Sequence, residues 1–211
     1  MRKLLSIAAV LVLCFASPAH AGTTEDFEAG KKAFDAGDLV GAMNPLKRAA
    51  DADHVEAQVL LAYILDYSEF DEDAMAYYRK AAEKGNADGQ FGLGVMIANG
   101  DGVPKKDPIE GRRWIKLAAE QGHKMAIGVM AQAYLGGQLG LTEAERNNDE
   151  TLRWVRLAAE QDSLPAIDAL ARAYREGALG LSPDPAQATE LEAKAKKLRN
   201  VKDTKGKKKK R

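Results

Sequence analysis

The chain has 211 residues and a formal net charge of zero, with 45% hydrophobic, 29% charged and only 6% aromatic residues. This composition fits one soluble domain or one short repeat array. Its single cysteine, Cys14, lies in a predicted leader, so disulfides and thiolate metal sites are excluded from the mature chain. Alanine, leucine and charged residues dominate, which favours an all-helical protein.

Residues 1–21 have the pattern of a secretory signal peptide. A short positive start precedes an apolar stretch, Leu4–Ala16, which is short for a bilayer span, and small residues in an A-x-A pattern follow. We expect cleavage after Ala21 and a periplasmic or secreted mature protein. An uncleaved membrane anchor is the alternative, and a lipid anchor through Cys14 is less favoured because a bulky leucine precedes it.

Helical spacing of apolar residues predicts five helix pairs after this leader. The first pair is predicted at Glu25–Ala36 and Leu39–Ala50, and the second unit runs from Glu56 to Gly85. Units three, four and five have longer connections, the largest at Leu135–Asp149. In these three units a glycine shortly after Ile97, Tyr134 or Tyr174 is predicted to end the first helix with a positive φ.

One short motif recurs in the second half of each unit. It reads R-R-W-I-K-L-A-A-E-Q from Arg112 and L-R-W-V-R-L-A-A-E-Q from Leu152, with fainter copies from Pro45, Tyr77 and Glu190. Its first alanine recurs every 32 to 40 residues, a period typical of stacked helix-turn-helix repeats. We expect the alanines and tryptophans of this motif to form the core and its arginines and lysines to face solvent.

These residues resemble the Sel-one-like (SLR) branch of the tetratricopeptide superfamily. Unit three matches that family's pattern best, with Gly89, Leu93, Gly94, Ile97, Gly100, Gly102, Asp107, Trp114, Ala118, Ala119 and Gly122. Unit four has Asp162 in place of the closing glycine, and unit five has Leu191 in place of the tryptophan. Units one and two look more like plain tetratricopeptide repeats. The resemblance implies a right-handed α/α superhelical solenoid of about five repeats over residues 22–198.

The sequence has no recognisable catalytic, cofactor-binding or metal-binding motif. His54 and His123 stand at junctions between units, where a cap or surface role is more common than a ligand role. Zinc-binding H-E-x-x-H, nucleophilic G-x-S-x-G and phosphate-binding G-x-x-x-x-G-K-[ST] patterns do not occur. We therefore predict a protein that is not an enzyme and carries no cofactor or metal.

In tetratricopeptide-type stacks the first helix of each unit lines a concave groove where peptides bind. The resemblance therefore implies a partner-binding groove formed by Lys31, Phe34, Tyr63, Asp66, Tyr67, Phe91, Asn99, Gln132, Arg172 and Arg175. Exposed tyrosines with arginines nearby are residue types that anchor protein partners. The alternative, that several of these aromatic rings pack between units, remains open.

The zero net charge conceals a strong asymmetry between the body and the end of the chain. Residues 22–193 contain 18 basic and 30 acidic side chains, whereas residues 194–211 contain 11 basic and one acidic. We predict a disordered basic tail over residues 199–211. It could be merely solubilising, could contact anionic lipid, cell-wall polymer or an acidic partner, or could bind nucleic acid, which the signal peptide disfavours.

The sequence predicts a protein-binding scaffold or adaptor in the periplasm. Resemblance to bacterial members of the family implies assembly or regulation of envelope or exopolysaccharide machinery. Two alternatives from other classes are a hydrolase of β-lactams or peptidoglycan and a secreted effector that binds host proteins.

Overall fold

The structure, a computed structural model, describes residues 18–146 and 148–209, with side chains over residues 22–146 and 149–201. Its regular elements within these ranges are all α-helices: α1 Pro18–Asp35, α2 Leu39–Asp51, α3 Val55–Tyr67, α4 Asp71–Glu83, α5 Ala87–Asn99, α6 Pro108–Glu120, α7 Lys124–Gly136, α8 Asn148–Glu160, α9 Leu164–Glu176 and α10 Pro185–Lys209. The predicted signal peptide lies mostly on residues 1–17, outside the described residues, and residues 18–21 form the first turn of α1.

Each helix packs against the next along the chain, and several pairs of odd-numbered helices also meet. Packing joins α1 to α3, α3 to α5, and α7 to α9. We call α1, α3, α5, α7 and α9 the first helices, because each begins one helix pair. The predicted all-α solenoid of about five repeats is therefore confirmed.

The junction between units repeats the same turn. At each junction one residue has a positive φ: 76° at Asp53, 83° at Gly85, 86° at Gly122 and 62° at Asp162. The next residue is the N-cap of the following helix, and at His54, Asn86 and His123 its side chain accepts a hydrogen bond from a backbone N–H of the first turn. Aspartate tolerates the left-handed region better than most residues, which explains Asp162 in place of the closing glycine.

Glycines end the first helix of units three, four and five, as predicted. Gly100, Gly137 and Gly177 are the C-caps of α5, α7 and α9, with φ of 100°, 69° and 71°. A left-handed residue at this position allows the last helical carbonyls to be satisfied by the turning chain.

Small residues let neighbouring helices approach closely. A Cβ atom added at Gly94 of α5 would lie 2.8 Å from the carbonyl oxygen of Gly111 in α6. One added at Gly111 would lie 2.5 Å from the carbonyl oxygen of Gly94, so neither position has room for a side chain. The backbones of α5 and α6 therefore touch at these two glycines.

The buried residues form two clusters that meet within unit three. The first joins side chains of α2, α3, α4 and α5, with Trp114 packed against it, and the second runs from α6 to α10 and contains Trp154. Trp154 is fully buried, and its Nε1–H donates to a Glu150 carboxylate oxygen at 3.0 Å. The first alanine of every motif copy is also buried, at Ala49, Ala81, Ala118, Ala158 and Ala195. The motif alanines and Trp154 are core, as expected, and Trp114 is partly buried.

The expectation that basic residues of the motif face solvent is wrong for Arg112. Its side chain is only 14% exposed and donates to a Glu145 carboxylate oxygen at 2.7 Å. Glu145 also accepts from the backbone N–H and the hydroxyl of Thr142, which closes a turn within the long connection of unit four. Leu141 of the same connection is buried. The ion pair with Arg112 of α6 and the burial of Leu141 therefore hold the connection against unit three.

Helix α10 continues into the segment for which a disordered basic tail is predicted. The structure describes residues 199–209 as part of this helix, which agrees with the good helix propensity of lysine and arginine. None of the described helices has both the length and the apolar character needed to cross a membrane.

Candidate functional site

All ten predicted groove residues lie on first helices. Four of them, contributed by three different helices, surround one pocket of about 460 Å³: Phe34, Tyr63, Asp66 and Phe91. We call it the first-helix pocket. The remaining lining residues, which the sequence analysis did not assign to the groove, are Val59, Leu60, Tyr78, Asp88, Gly92, Val95 and Met125.

The aromatic walls of the pocket are only partly buried. The rings of Phe34 and Tyr63 meet edge to face, with centroids 5.7 Å apart and an interplanar angle of 80°. This is a favoured geometry for aromatic pairs. Tyr63 is 49% exposed, and Met125, which also lines the pocket, is 62% exposed. A partner could therefore bury considerable apolar surface here.

Phe91 is held in place by a histidine from the next unit. Its ring stacks on that of His123, with centroids 4.7 Å apart. His123 Nδ1 accepts from the backbone N–H of Ala126 at 3.1 Å, and Nε2 lies 3.1 Å from Asp88 Oδ1. Nδ1 thus acts as the acceptor, which leaves Nε2 as the ring nitrogen that donates to Asp88. The histidine is a helix cap that also orients the pocket wall, in line with its predicted cap role.

The charged residues that line the pocket within the described part of the chain are both acidic. Asp88 is engaged by His123, whereas the Asp66 carboxylate forms no ion pair with any described side chain. Burial raises the pKa of Asp66, and the nearby carboxylates of Asp71 and Asp101 raise it further. The pocket therefore carries a negative potential that the free protein does not neutralise locally.

The floor of the pocket comes from α4, the second helix of its pair. Tyr78 of α4 is buried, and burial raises the pKa of its hydroxyl well above the ordinary value. Its ring lies across Gly92 of α5, where an added Cβ atom would come within 2.5 Å of the ring carbon Cε1. Helical spacing marks Tyr78 as a core residue. Only the observation that Gly92 leaves a gap on α5 could have linked it to the groove.

The other six predicted residues do not line the pocket. Lys31 pairs with Asp35 on its own helix, Asn99 donates to Asp101 at 3.2 Å, and Arg175 donates to Glu192 of α10 at 2.6 Å. The last three are exposed: Tyr67, Gln132 and Arg172. The pocket is thus formed by units one to three, with Met125 contributed by unit four.

A second pocket, of about 610 Å³, lies at the start of α4 and is rich in carboxylates. Asp71, Glu72 and Asp73 line it together with Glu69 and the loop from Gly102 to Pro104. Acidic side chains at a helix start favour the helix dipole. Within the described ranges no group of three or more histidine, cysteine, aspartate or glutamate side chains is placed to hold a metal ion.

Comparisons with known proteins agree with this architecture. A family model described as "Sel1 repeat" matches four segments that make up more than half of the chain, at residues 55–86, 87–123, 129–163 and 165–199. No curated protein sequence matches the chain.

Several solved structures share the fold. A protective antigen present in uropathogenic Escherichia coli strains, described as displaying an SLR fold, is 32% identical over 85% of this chain, with a TM-score of 0.71. This chain spans only 39% of that protein's length. A Sel1 repeat protein from Oxalobacter formigenes is 24% identical over 84% of this chain and 72% of its own, with a TM-score of 0.65. The MamA protein is 18% identical over 88% of this chain and 96% of its own, with a TM-score of 0.54.

Proposed function

Because the chain belongs to the Sel1 repeat family, whose members are generally protein-interaction scaffolds, we propose that it is a non-enzymatic scaffold that holds a segment of a partner protein against its first helices. The observation that carries this proposal is the first-helix pocket. Its half-exposed aromatic walls are the kind of surface that supplies binding energy at protein interfaces.

The pocket lies within a longer surface of first helices, which we propose to be a concave groove. Tyr67, 72% exposed at the end of α3, would contact the same partner beyond the pocket, whereas Gln132 and Arg172 further along would add only minor contacts. A groove lined by parallel first helices suits an extended or helical peptide. The pocket would bind one anchor residue, and the flanking helices would set the register.

We place this scaffold in the periplasm, where it would assemble or regulate envelope or exopolysaccharide machinery. The support is the signal-peptide pattern of residues 1–21 and the absence of cysteine from the rest of the chain. The basic tail would contact an anionic envelope polymer or lipid. Amino-terminal sequencing of protein recovered from a periplasmic fraction tests the location, with Gly22 expected as the first residue.

Affinity capture from a periplasmic extract tests the binding surface. The double variant Tyr63→Ala/Tyr67→Ala should lose the captured partner while its helical circular dichroism stays unchanged, because both rings are exposed. The matched control Gln132→Ala/Arg172→Ala lies on first helices outside the pocket and should retain most of the capture.

Equal capture by the wild-type protein and the tyrosine variant would contradict the proposal. Turnover of a β-lactam or a peptidoglycan fragment by the purified protein, abolished by a single substitution, would contradict its non-enzymatic part and favour a hydrolase.

A further inference from the structure

We infer that the first-helix pocket takes a lysine or arginine side chain of a bound peptide together with an apolar residue beside it. This rests on the proposed scaffold function and names the chemistry of the segment that the scaffold recognises. The pocket offers an apolar cavity with an acidic edge, so a matching ligand needs an apolar part and a cationic part.

The apolar part of the match comes from the walls of the pocket. Phe34 and Tyr63 form one wall, and Phe91 and Val95 form another, around a cavity of about 460 Å³. A cavity of this size accepts one or two side chains of a peptide rather than a whole folded element. Since Tyr63 and Met125 stay half exposed or more in the free protein, docking an apolar residue here would remove apolar surface from water.

The cationic part of the match comes from the unpaired carboxylate. Asp66 is partly desolvated and lies near Asp71 and Asp101, yet no described basic side chain pairs with it. An incoming ammonium or guanidinium group would neutralise this local negative charge, and the charge would also speed and orient association. An acidic peptide would add one more like charge to the cluster.

The aromatic rings strengthen the preference for a cation. Tyr63 is half exposed, and a cation over the face of such a ring is attracted by the ring quadrupole. The long aliphatic stem of lysine or arginine can lie along the ring while its charged end reaches a carboxylate. One side chain can therefore use both features.

The chain's own basic end is a weaker candidate for this site. Its sequence K-G-K-K-K-K-R supplies charge but has no apolar residue to fill the space between Phe34, Tyr63 and Phe91. A partner segment with both basic and apolar residues matches the acidic edge and the apolar walls of the pocket. A lysine-only segment matches only the acidic edge.

Selection from a library of random displayed peptides on the full-length protein tests the inference. Lysine or arginine next to an apolar residue should be enriched in peptides selected on the wild-type protein and not on Asp66→Asn. A synthetic copy of an enriched peptide should bind Asp66→Asn about tenfold more weakly, as expected for the loss of one charge pair. The control Glu83→Gln removes an exposed carboxylate of α4 outside the pocket and should leave the affinity unchanged.

A double-mutant cycle then shows whether the two charges meet. Replacing the basic residue of the peptide by glutamine should weaken binding to the wild-type protein about tenfold and binding to Asp66→Asn hardly at all. Enrichment of acidic or purely apolar peptides, or of no peptide, would overturn the inference. Enrichment of lysine-only sequences would also overturn it and would favour the basic tail of a second copy as the occupant.

Failure of this inference is distinguishable from failure of the scaffold proposal. If selected peptides of another chemistry still lose binding to Tyr63→Ala, the pocket is a protein-binding site with a different preference. If no peptide binds and Tyr63→Ala/Tyr67→Ala leaves capture from extract unchanged, both are wrong.

Discussion

The first helices of units two and three differ from those of units four and five at matching positions. Counted from the junction residues His54, Asn86, His123 and Ser163, the ninth following residue is Tyr63 in α3 and Val95 in α5 but Gln132 in α7 and Arg172 in α9. The twelfth is Asp66 in α3 and Arg175 in α9. It is Ala98 in α5 and Leu135 in α7. The half formed by units one to three thus presents the rings and carboxylates of the pocket, whereas α9 presents two arginines at these positions.

This difference distinguishes the positions that every repeat needs for folding from the positions whose side chains can vary. Junction turns, motif alanines and helix-ending glycines recur because each unit must bury its faces against its neighbours. Exposed positions on the first helices, such as Tyr63, Gln132 and Arg172, are less constrained by that packing, so their chemistry can change from unit to unit. We interpret the half that exposes aromatic rings as the binding half.

Removing a buried ring and removing an exposed ring should have very different effects on stability. Trp154→Ala is expected to lower the free energy of unfolding by about 3–5 kcal/mol, because it opens a cavity in the buried cluster that runs from α6 to α10. Tyr63→Ala should lower it by about 1 kcal/mol or less, since half of that ring is exposed. Urea unfolding followed by circular dichroism measures both.

Trp154→Phe is the control for this pair, because it keeps an apolar ring and loses only the outer part of the indole and its hydrogen bond to Glu150. Its cost should fall between those of the two alanine variants. Similar losses for Trp154→Ala and Tyr63→Ala would show that Tyr63 belongs to the core and would remove it from the binding surface.

Two glycines on first helices should respond to alanine in opposite directions. Gly94→Ala places a Cβ atom against the backbone of α6 and should destabilise the protein by about 1–3 kcal/mol. Gly128 of α7 has nothing within 4 Å of an added Cβ atom. Gly128→Ala should therefore stabilise the protein by up to about 1 kcal/mol through helix propensity. Shifts of the same sign in urea unfolding would contradict the helix approach described for α5 and α6.

The smallest expected effect on stability concerns Asp66. The pKa of Asp66 is raised in the folded state. Between the unfolded and folded pKa values the native protein therefore binds more protons than the unfolded chain does. Stability falls as pH rises through that window. Asp66→Asn removes this loss and should raise stability near neutral pH by about 0.5 kcal/mol or less, while weakening binding of a basic peptide. A drop in stability at neutral pH would indicate that Asp66 has a stabilising partner.

The repeat architecture was predictable because its signals are local and recur. The period of the motif alanines, the glycines after the first helices and the junction histidines each reflect a single turn or helix contact. The pocket was only partly predictable. Phe34, Tyr63, Asp66 and Phe91 follow from their positions on first helices, but Tyr78 comes from a second helix and reaches the site only because Gly92 has no side chain.

The same limit explains the error at Arg112. Its place in the helical pattern predicts a solvent-facing side chain, and nothing in the local sequence indicates that Glu145, from the next unit's connection, folds back onto it. Contacts between distant parts of the chain depend on how a loop packs, which periodicity does not encode.

The claim that partners bind the aromatic and acidic half of the first helices is tested most directly by site-specific crosslinking. A photoreactive phenylalanine derivative is placed at Tyr63 or at the matching position Arg172, in cells that naturally produce the protein. We expect a discrete protein adduct from Tyr63, competed by a basic–apolar peptide, and little or none from Arg172. Adducts from Arg172 alone, or equal adducts from both positions, would contradict it.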